Sequence, residues 1–186
     1  PVTVVADPTI LLTREDWNRF LPVTKPEYPP YILCYYLGNN PAHRHAAVAL
    51  RNATGLHLIS IRSVESYAKI DLEYADECIE GATPENFLNL IRHADYVCTD
   101  SFHGVVLSLI NNRPFSVFYR TSSNNPNSRN TRIDHVLAKF GCNDRLAEKP
   151  DDLLEQVVIS IDFLSVNRRI ENFRDESLNF LRHALA

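Results

Sequence analysis

The chain contains no methionine and opens at Pro1. A sequence that begins this way reads as a trimmed piece of a longer protein, so part of the working molecule is expected to lie outside it. There is no Cys-x-x-Cys pair. Cys34, Cys78, Cys98 and Cys142 stand far apart, which argues against a zinc site; Cys34 and Cys98, inside apolar strand-like runs, read as small buried hydrophobes in a reducing, cytoplasmic setting. No apolar run approaches the roughly 20 residues that cross a bilayer, and no signal peptide is visible. Peripheral association with a membrane is the contact that remains open. No excess of positive charge is present either: the net charge is −4, the wrong sign for a nucleic-acid-binding surface. There is no internal repeat, and no Gly-x-Gly-x-x-Gly follows the first strand-like run, so a nicotinamide dinucleotide is not the expected ligand.

What is present is a regular alternation. Val2, Val4 and Val5 suggest a short strand, and Asp7-Pro8-Thr9 a turn with a helix cap. Pro22 to Pro30 reads as an extended connection. The continuous apolar run Tyr31–Leu37 predicts a strand covered on both faces. Asn40-Pro41 predicts a helix start, with helix through 46–52 and a stop at Gly55. Residues 56–61 predict a second strand, and 63–82 an irregular excursion. Thr83-Pro84-Glu85 opens a helix, with a cap, a proline and an acid in order. Residues 96–99 predict a third strand, Val105–Ile110 a helix, 114–119 a fourth strand, 133–140 a helix ended by Gly141, and 164–185 a long final helix. Strand and helix in alternation imply parallel strands with right-handed crossovers. The expected fold is α/β, a Rossmann-like, open, mainly parallel sheet flanked by helices. The expected organisation is a single domain over 1–186, with a leading segment at 1–30 and a terminal helix at 164–186.

Ligands of such sheets bind beyond the carboxyl ends of the strands. The most informative end is Thr99-Asp100-Ser101-Phe102-His103-Gly104, where a buried strand turns directly into a helix. Asp100 or Ser101 can cap that helix, leaving its free N–H groups and positive end toward the cleft, an arrangement suited to anions. Gly104 allows close approach of ligand or backbone. His103 sits in the first turn. A helix's positive end disfavours an imidazolium there, and an arriving anion favours it, which makes His103 a candidate general acid. The plainer reading leaves Asp100 and Ser101 as caps and His103 as packing. Arg120, Arg129 and Arg132 lie in and beside the loop after the next strand, on the same edge of the sheet, and arginine suits the bidentate grip of phosphate or carboxylate. The plainer reading there is a solvated loop. Gly38-Asn39-Asn40 either contacts ligand or only turns the chain. His43 and His45 are two apart on a helix, the wrong spacing to share a face, and are expected at the surface. Trp17 is expected in the core.

Four pieces, taken together, resemble one family. They are Asp7-Pro8-Thr9 with Leu11-Leu12 and Trp17; Tyr31–Gly38; Ala94–Gly104 followed by Asn112-Arg113-Pro114-Phe115; and Asn127-Ser128-Arg129 through Arg132-Ile133. On these the sequence is similar to the polysaccharide pyruvyl transferases, over nearly the whole chain and as the C-terminal half of a two-domain, GT-B-type enzyme. The resemblance implies transfer of a pyruvyl group from phosphoenolpyruvate to a sugar diol of a cell-surface polysaccharide precursor, giving a cyclic ketal. It implies no metal or other cofactor. The implied partners are an anionic donor, a saccharide acceptor and the N-terminal half of the same enzyme, without which this chain is expected to fold but not to turn over. It makes His103 the key donor-site residue, with Ser101 and Phe102 beside it. Several members carry arginine where Ser101 stands and at the first strand end, where this chain has Leu37-Gly38-Asn39. Arg120, Arg129 or Arg132 are the residues available to replace those charges. Two other functions fit the same fold: a GT-B-like transferase using a nucleotide-sugar, and a non-catalytic domain that binds a glycan or a protein.

Overall fold

The computed structural model describes residues 3–62, 73–121, 128 and 130–185. Six strands, β1 (Tyr31–Tyr35), β2 (His57–Ile61), β3 (Glu77–Ile79), β4 (Tyr96–Thr99), β5 (Phe115–Phe118) and β6 (Leu146–Ala147), form one sheet in the order β3-β2-β1-β4-β5-β6. All five pairings are parallel. Eight helices accompany them among the described residues: α1 (Pro8–Leu11), α2 (Arg14–Phe20), α3 (Pro41–Thr54), α4 (Pro84–His93), α5 (Phe102–Ile110), α6 (Asn130–Phe140), α7 (Asp152–Gln156) and α8 (Phe163–Leu185). This is the expected Rossmann-like α/β architecture. The order reverses between β1 and β4, and a doubly wound sheet opens its binding crevice at such a switch point.

The apolar strand runs are continuous because both faces are covered. In β1, Leu33 belongs to one core cluster, with α4, α5, α6 and α8 residues, while Ile32 and Cys34 belong to the other, against α3. The thiols of Cys34 and Cys98 are wholly buried, and burial pushes the Cys98 thiol well above its ordinary range. They are packing groups, as their setting in apolar runs predicts. Buried polar groups are paired at the β4–β5–β6 side: Tyr96 hydroxyl with Ser116, Gln156 Nε2 to Leu146 O (3.0 Å), and Arg145 Nη1 to Gln156 O (2.9 Å).

Caps place the helix starts where the sequence puts them. Asp7 accepts from Thr9 N, Asn40 from Ala42 N and Thr83 from Asn86 N, each ahead of a proline in the first turn. Gly55, in the left-handed region at φ 72°, ends α3. Other expectations need correction. Residues 3–7 are irregular, not a strand: Ala6 N donates to Ser177 Oγ of α8 (2.9 Å), and Val2 lies outside the described residues. β1 ends two residues early, because Leu37 and Gly38 turn their amides to a side chain (below). The stretch 63–82 contains the edge strand β3, short and half-exposed and so without an apolar signature; residues 63–72 lie outside the described ones. The two-residue β6 and the short α7 are likewise too brief to leave a period. Trp17 packs partly buried against the core, with Nε1 donating to Thr9 O (3.1 Å). No helix among the described residues is long and apolar enough to cross a membrane.

Candidate active site

At the switch point the ends of β1 and β4 are neighbours, with Tyr35 paired to Thr99. One residue later Asp100 is buried, 1% exposed. Its carboxylate does not cap α5. It reaches sideways and accepts from Leu37 N (2.7 Å) and Gly38 N (2.9 Å), tying the end of β4 to the loop after β1. Burial pushes the Asp100 carboxyl above the usual carboxylate range. The two amides and the Arg120 and Arg44 guanidiniums oppose that shift without cancelling it. Behind the loop the fully buried Arg44 donates to Gly38 O (2.6 Å) and Asn40 O (3.3 Å) and lies 4.9 Å from the Tyr36 ring centroid. The loop is thus held from both sides.

Ser101 is the cap of α5, its Oγ accepting from Gly104 N at 3.4 Å. Thr99 Oγ1 donates to Tyr35 O (2.6 Å) and accepts from Ser101 N (3.0 Å). A Cβ on Gly104 would stand 2.5 Å from that oxygen and 3.1 Å from Thr99 Cβ and Cγ2. Gly104 is therefore a packing glycine against β4. Because the Thr99 hydroxyl is held at two points, it has no free direction to yield. Gly104→Ala should weaken the fold by about 1–3 kcal/mol in urea denaturation; an unchanged midpoint would mean that this contact has slack.

His103 stands one residue into α5, its side chain 53% exposed. Its Nε2 is 3.9 Å from Asp7 Oδ1, and Asp7 Oδ2 is 3.8 Å from Arg132 Nη2. Phe102 sits beneath this group: its ring meets the His103 ring edge-on at 5.3 Å, and Arg132 Cζ lies 4.3 Å from its centroid. The imidazole is presented, not packed away. Next to it, Asp100, Phe102, Arg120, Thr121, Asn130, Arg132 and Ile133 line a cavity of about 180 Å³. Asn130 braces its far wall, with Nδ2 donating to Thr121 O at 2.8 Å. A larger hollow of about 430 Å³ lies along α4, but Glu27 and Glu85 line it. That is the wrong sign for an anion, so the smaller cavity at the strand ends is the better candidate.

Of the expected residues, Asp100, Phe102, His103, Arg120 and Arg132 converge here. Gly38 lies against Arg120 and Asp100. Ser101 and Gly104 are buried and serve the strand–helix turn. Asn39 is exposed at the turn, and Asn40 caps α3. Arg129 lies outside the described residues. His45 is at the surface as expected, but His43 is not. It is 5% exposed, stacked on Phe118 at 4.2 Å and hydrogen-bonded to Asn40. Burial, with Arg44 adding to it, lowers its pKa to about 4. The i,i+2 spacing puts the two histidines on different faces, and the inner one packs on the sheet. The residues not anticipated are Asp7, as neighbour of His103, and Arg44. The only advance signal for Asp7 was its place in the first family-like piece.

A doubly wound parallel sheet with an exposed histidine and two arginines at its switch point defines a Rossmann-type domain. The chain belongs to the polysaccharide pyruvyl transferase family, whose model matches residues 1–122. That match spans β1 to β5, His103 and Arg120. It stops short of the fourth family-like piece at 127–133, so the likeness covers less than the nearly whole chain expected. It falls on the N-terminal part of this chain and does not carry the assignment to the C-terminal half of the enzyme. No curated protein sequence matches the chain. Solved structures that share the fold include the UDP-GlcNAc 2-epimerase from Methanocaldococcus jannaschii (16% identity, 80% of this chain and 43% of that one, TM-score 0.52). The glycotransferase of kitacinnamycin (18%, 84% and 41%, 0.51) and the calicheamicin glycosyltransferase CalG4 (16%, 84% and 42%, 0.51) are similar to the same degree. The neighbours are GT-B glycosyltransferases in the main, and the chain spans less than half the length of each of these three.

Proposed function

We propose that this chain carries the donor site of a transferase that moves a pyruvyl group from phosphoenolpyruvate to a sugar of a cell-surface polysaccharide precursor, working in the cytoplasm. In that reaction a proton adds to C3 of the enol and C2 becomes electrophilic. One sugar hydroxyl adds at C2, inorganic phosphate departs, and the second hydroxyl closes the ketal. Of the two hydroxyl protons released, one restores the acid and one leaves with phosphate. His103 is the proton donor to C3, Asp7 orients its ring, and Arg120 and Arg132 hold the carboxylate and phosphate. The acceptor side of the cleft belongs to a second domain of the same enzyme. The observation that carries the reading is the exposed His103 beside a cavity of about 180 Å³ with two arginines in its wall. Two guanidiniums beside one imidazole suit a small donor that carries both a carboxylate and a phosphate and must be protonated at carbon.

Calorimetric titration tests it. Phosphoenolpyruvate is expected to bind and nucleotide-sugars not to. The opposite pattern would turn the reading to glycosyl transfer. Binding of neither, with glycan output unaffected by His103→Ala, would leave a non-catalytic domain.

A further inference from the structure

Gly38 has no side chain, yet its surroundings are not empty. A Cβ there would stand 2.9 Å from Arg120 Cγ, 3.0 Å from Asp100 Oδ2 and 3.3 Å from Arg120 O. The stem of Arg120 therefore crosses the end of β1 through the space that a side chain at position 38 would occupy. The chain arrives there from β5, two strands away in the sheet order. Arg120 is half-buried and lines the cavity with Arg132. Among the described residues the ion pairs at this edge belong to His103 and Arg132, both with Asp7. The Asp100 carboxylate that senses Arg120 is already engaged by the Leu37 and Gly38 amides.

We infer that Arg120 is the residue that grips the anion at the end of β1, and that Gly38 is the space it needs, not a ligand contact. The inference rests on the donor site proposed above and names how that site obtains its charge. Position 38 is silent in itself; its smallness lets a guanidinium from the next-but-one strand serve the switch point. A methyl group at 38 cannot be absorbed cheaply. The atom in its way is near the root of the Arg120 side chain, and Asp100 and the Arg120 backbone close the other directions.

The test is a double-mutant cycle read by calorimetry on the protein, with phosphoenolpyruvate and inorganic phosphate as the two probes. Arg120→Ala should weaken phosphoenolpyruvate binding tenfold or more, and Arg120→Lys, which keeps charge but not the bidentate fork, should fall between. Gly38→Ala should weaken it too, and the double variant should be no worse than Arg120→Ala alone. Thermal melts check that each variant is folded; if Gly38→Ala is not, the Ala and Lys variants at 120 decide. Unchanged affinity in Arg120→Ala, while the unaltered protein binds phosphoenolpyruvate, overturns this inference and spares the donor reading. Fully additive losses overturn the dependence of Arg120 on Gly38. If inorganic phosphate binds through Arg120 and phosphoenolpyruvate does not bind, the anion grip stands and the pyruvyl reading falls. Binding of neither probe overturns both.

Discussion

Alanine at position 103 is expected to lower pyruvyl transfer by about two to four orders of magnitude, the usual worth of a positioned general acid, while the melting temperature stays where it was. The two halves of this expectation come from the same geometry. The imidazole is more than half exposed, and the carboxylate it faces, Asp7 Oδ1, is 3.9 Å away. Its removal therefore leaves no buried donor unpaired and no cavity in the core, and exposed substitutions of that kind shift stability by about 0.5 kcal/mol or less. Its position two residues past the Ser101 cap is what the proposed role rests on. The first turn of α5 has amide N–H groups free for an anion, and an anion held there draws a proton onto the adjacent ring. Phosphate release in the presence of acceptor measures the first half, and a thermal melt the second. Asp7→Asn should lose less, since Asp7 acts through the His103 ring and through Arg132 and gives no proton to the substrate itself. Transfer within a few-fold of the unaltered rate in His103→Ala would remove His103 from the chemistry and leave the arginines as a binding site alone.

Why His103 could be singled out from sequence, and Asp7 could not, follows from range. The turn after β4 is local: a buried apolar strand, a capping serine and a helix succeed one another within ten residues, and each leaves its own signal. The strand runs, the Asn40-Pro41 and Thr83-Pro84 caps, and the α/β class are legible for the same reason. Asp7 meets His103 across 96 residues of chain, through the packing of α1 against α5 and α8, and no period or cap encodes that. Asp100 is an instructive case in between. Its position at the head of a helix reads as a cap, yet the serine after it takes that role. The carboxylate is left for Leu37 and Gly38, whose proximity depends on the sheet order. The short strands β3 and β6 were hidden by length, and His43 by treating a helix face as outward when the helix packs on a sheet.

The second large effect is structural. Asp100→Ala should lower stability by about 3 kcal/mol, since the Leu37 and Gly38 amides would both lose their acceptor, at about 1–3 kcal/mol for each donor left unsatisfied. For a chain of this size that is roughly 6–12 °C in melting temperature. Asp100→Asn should lose less, because one amide keeps an oxygen while the other meets an NH2. The two variants also separate the carboxyl's shape from its charge. Burial holds the folded-state pKa of Asp100 above its ordinary value of 3.8, the value it has in the unfolded chain. The folded protein therefore takes up the proton more readily than the unfolded one. This group's share of stability is then fully present below 3.8 and is lost as pH rises through the raised folded value, the reverse of a salt-bridged aspartate. Melts of the unaltered protein and of Asp100→Asn, compared from neutral pH down toward 4, should show the unaltered protein gaining on the variant as the pH falls. A gap that shrinks with acidification instead would mean that the Leu37 and Gly38 amides outweigh burial and that Asp100 is held as a carboxylate. The loop carrying Gly38 would then be fixed by charge, and the cleft beside Arg120 would depend on that charge for its shape.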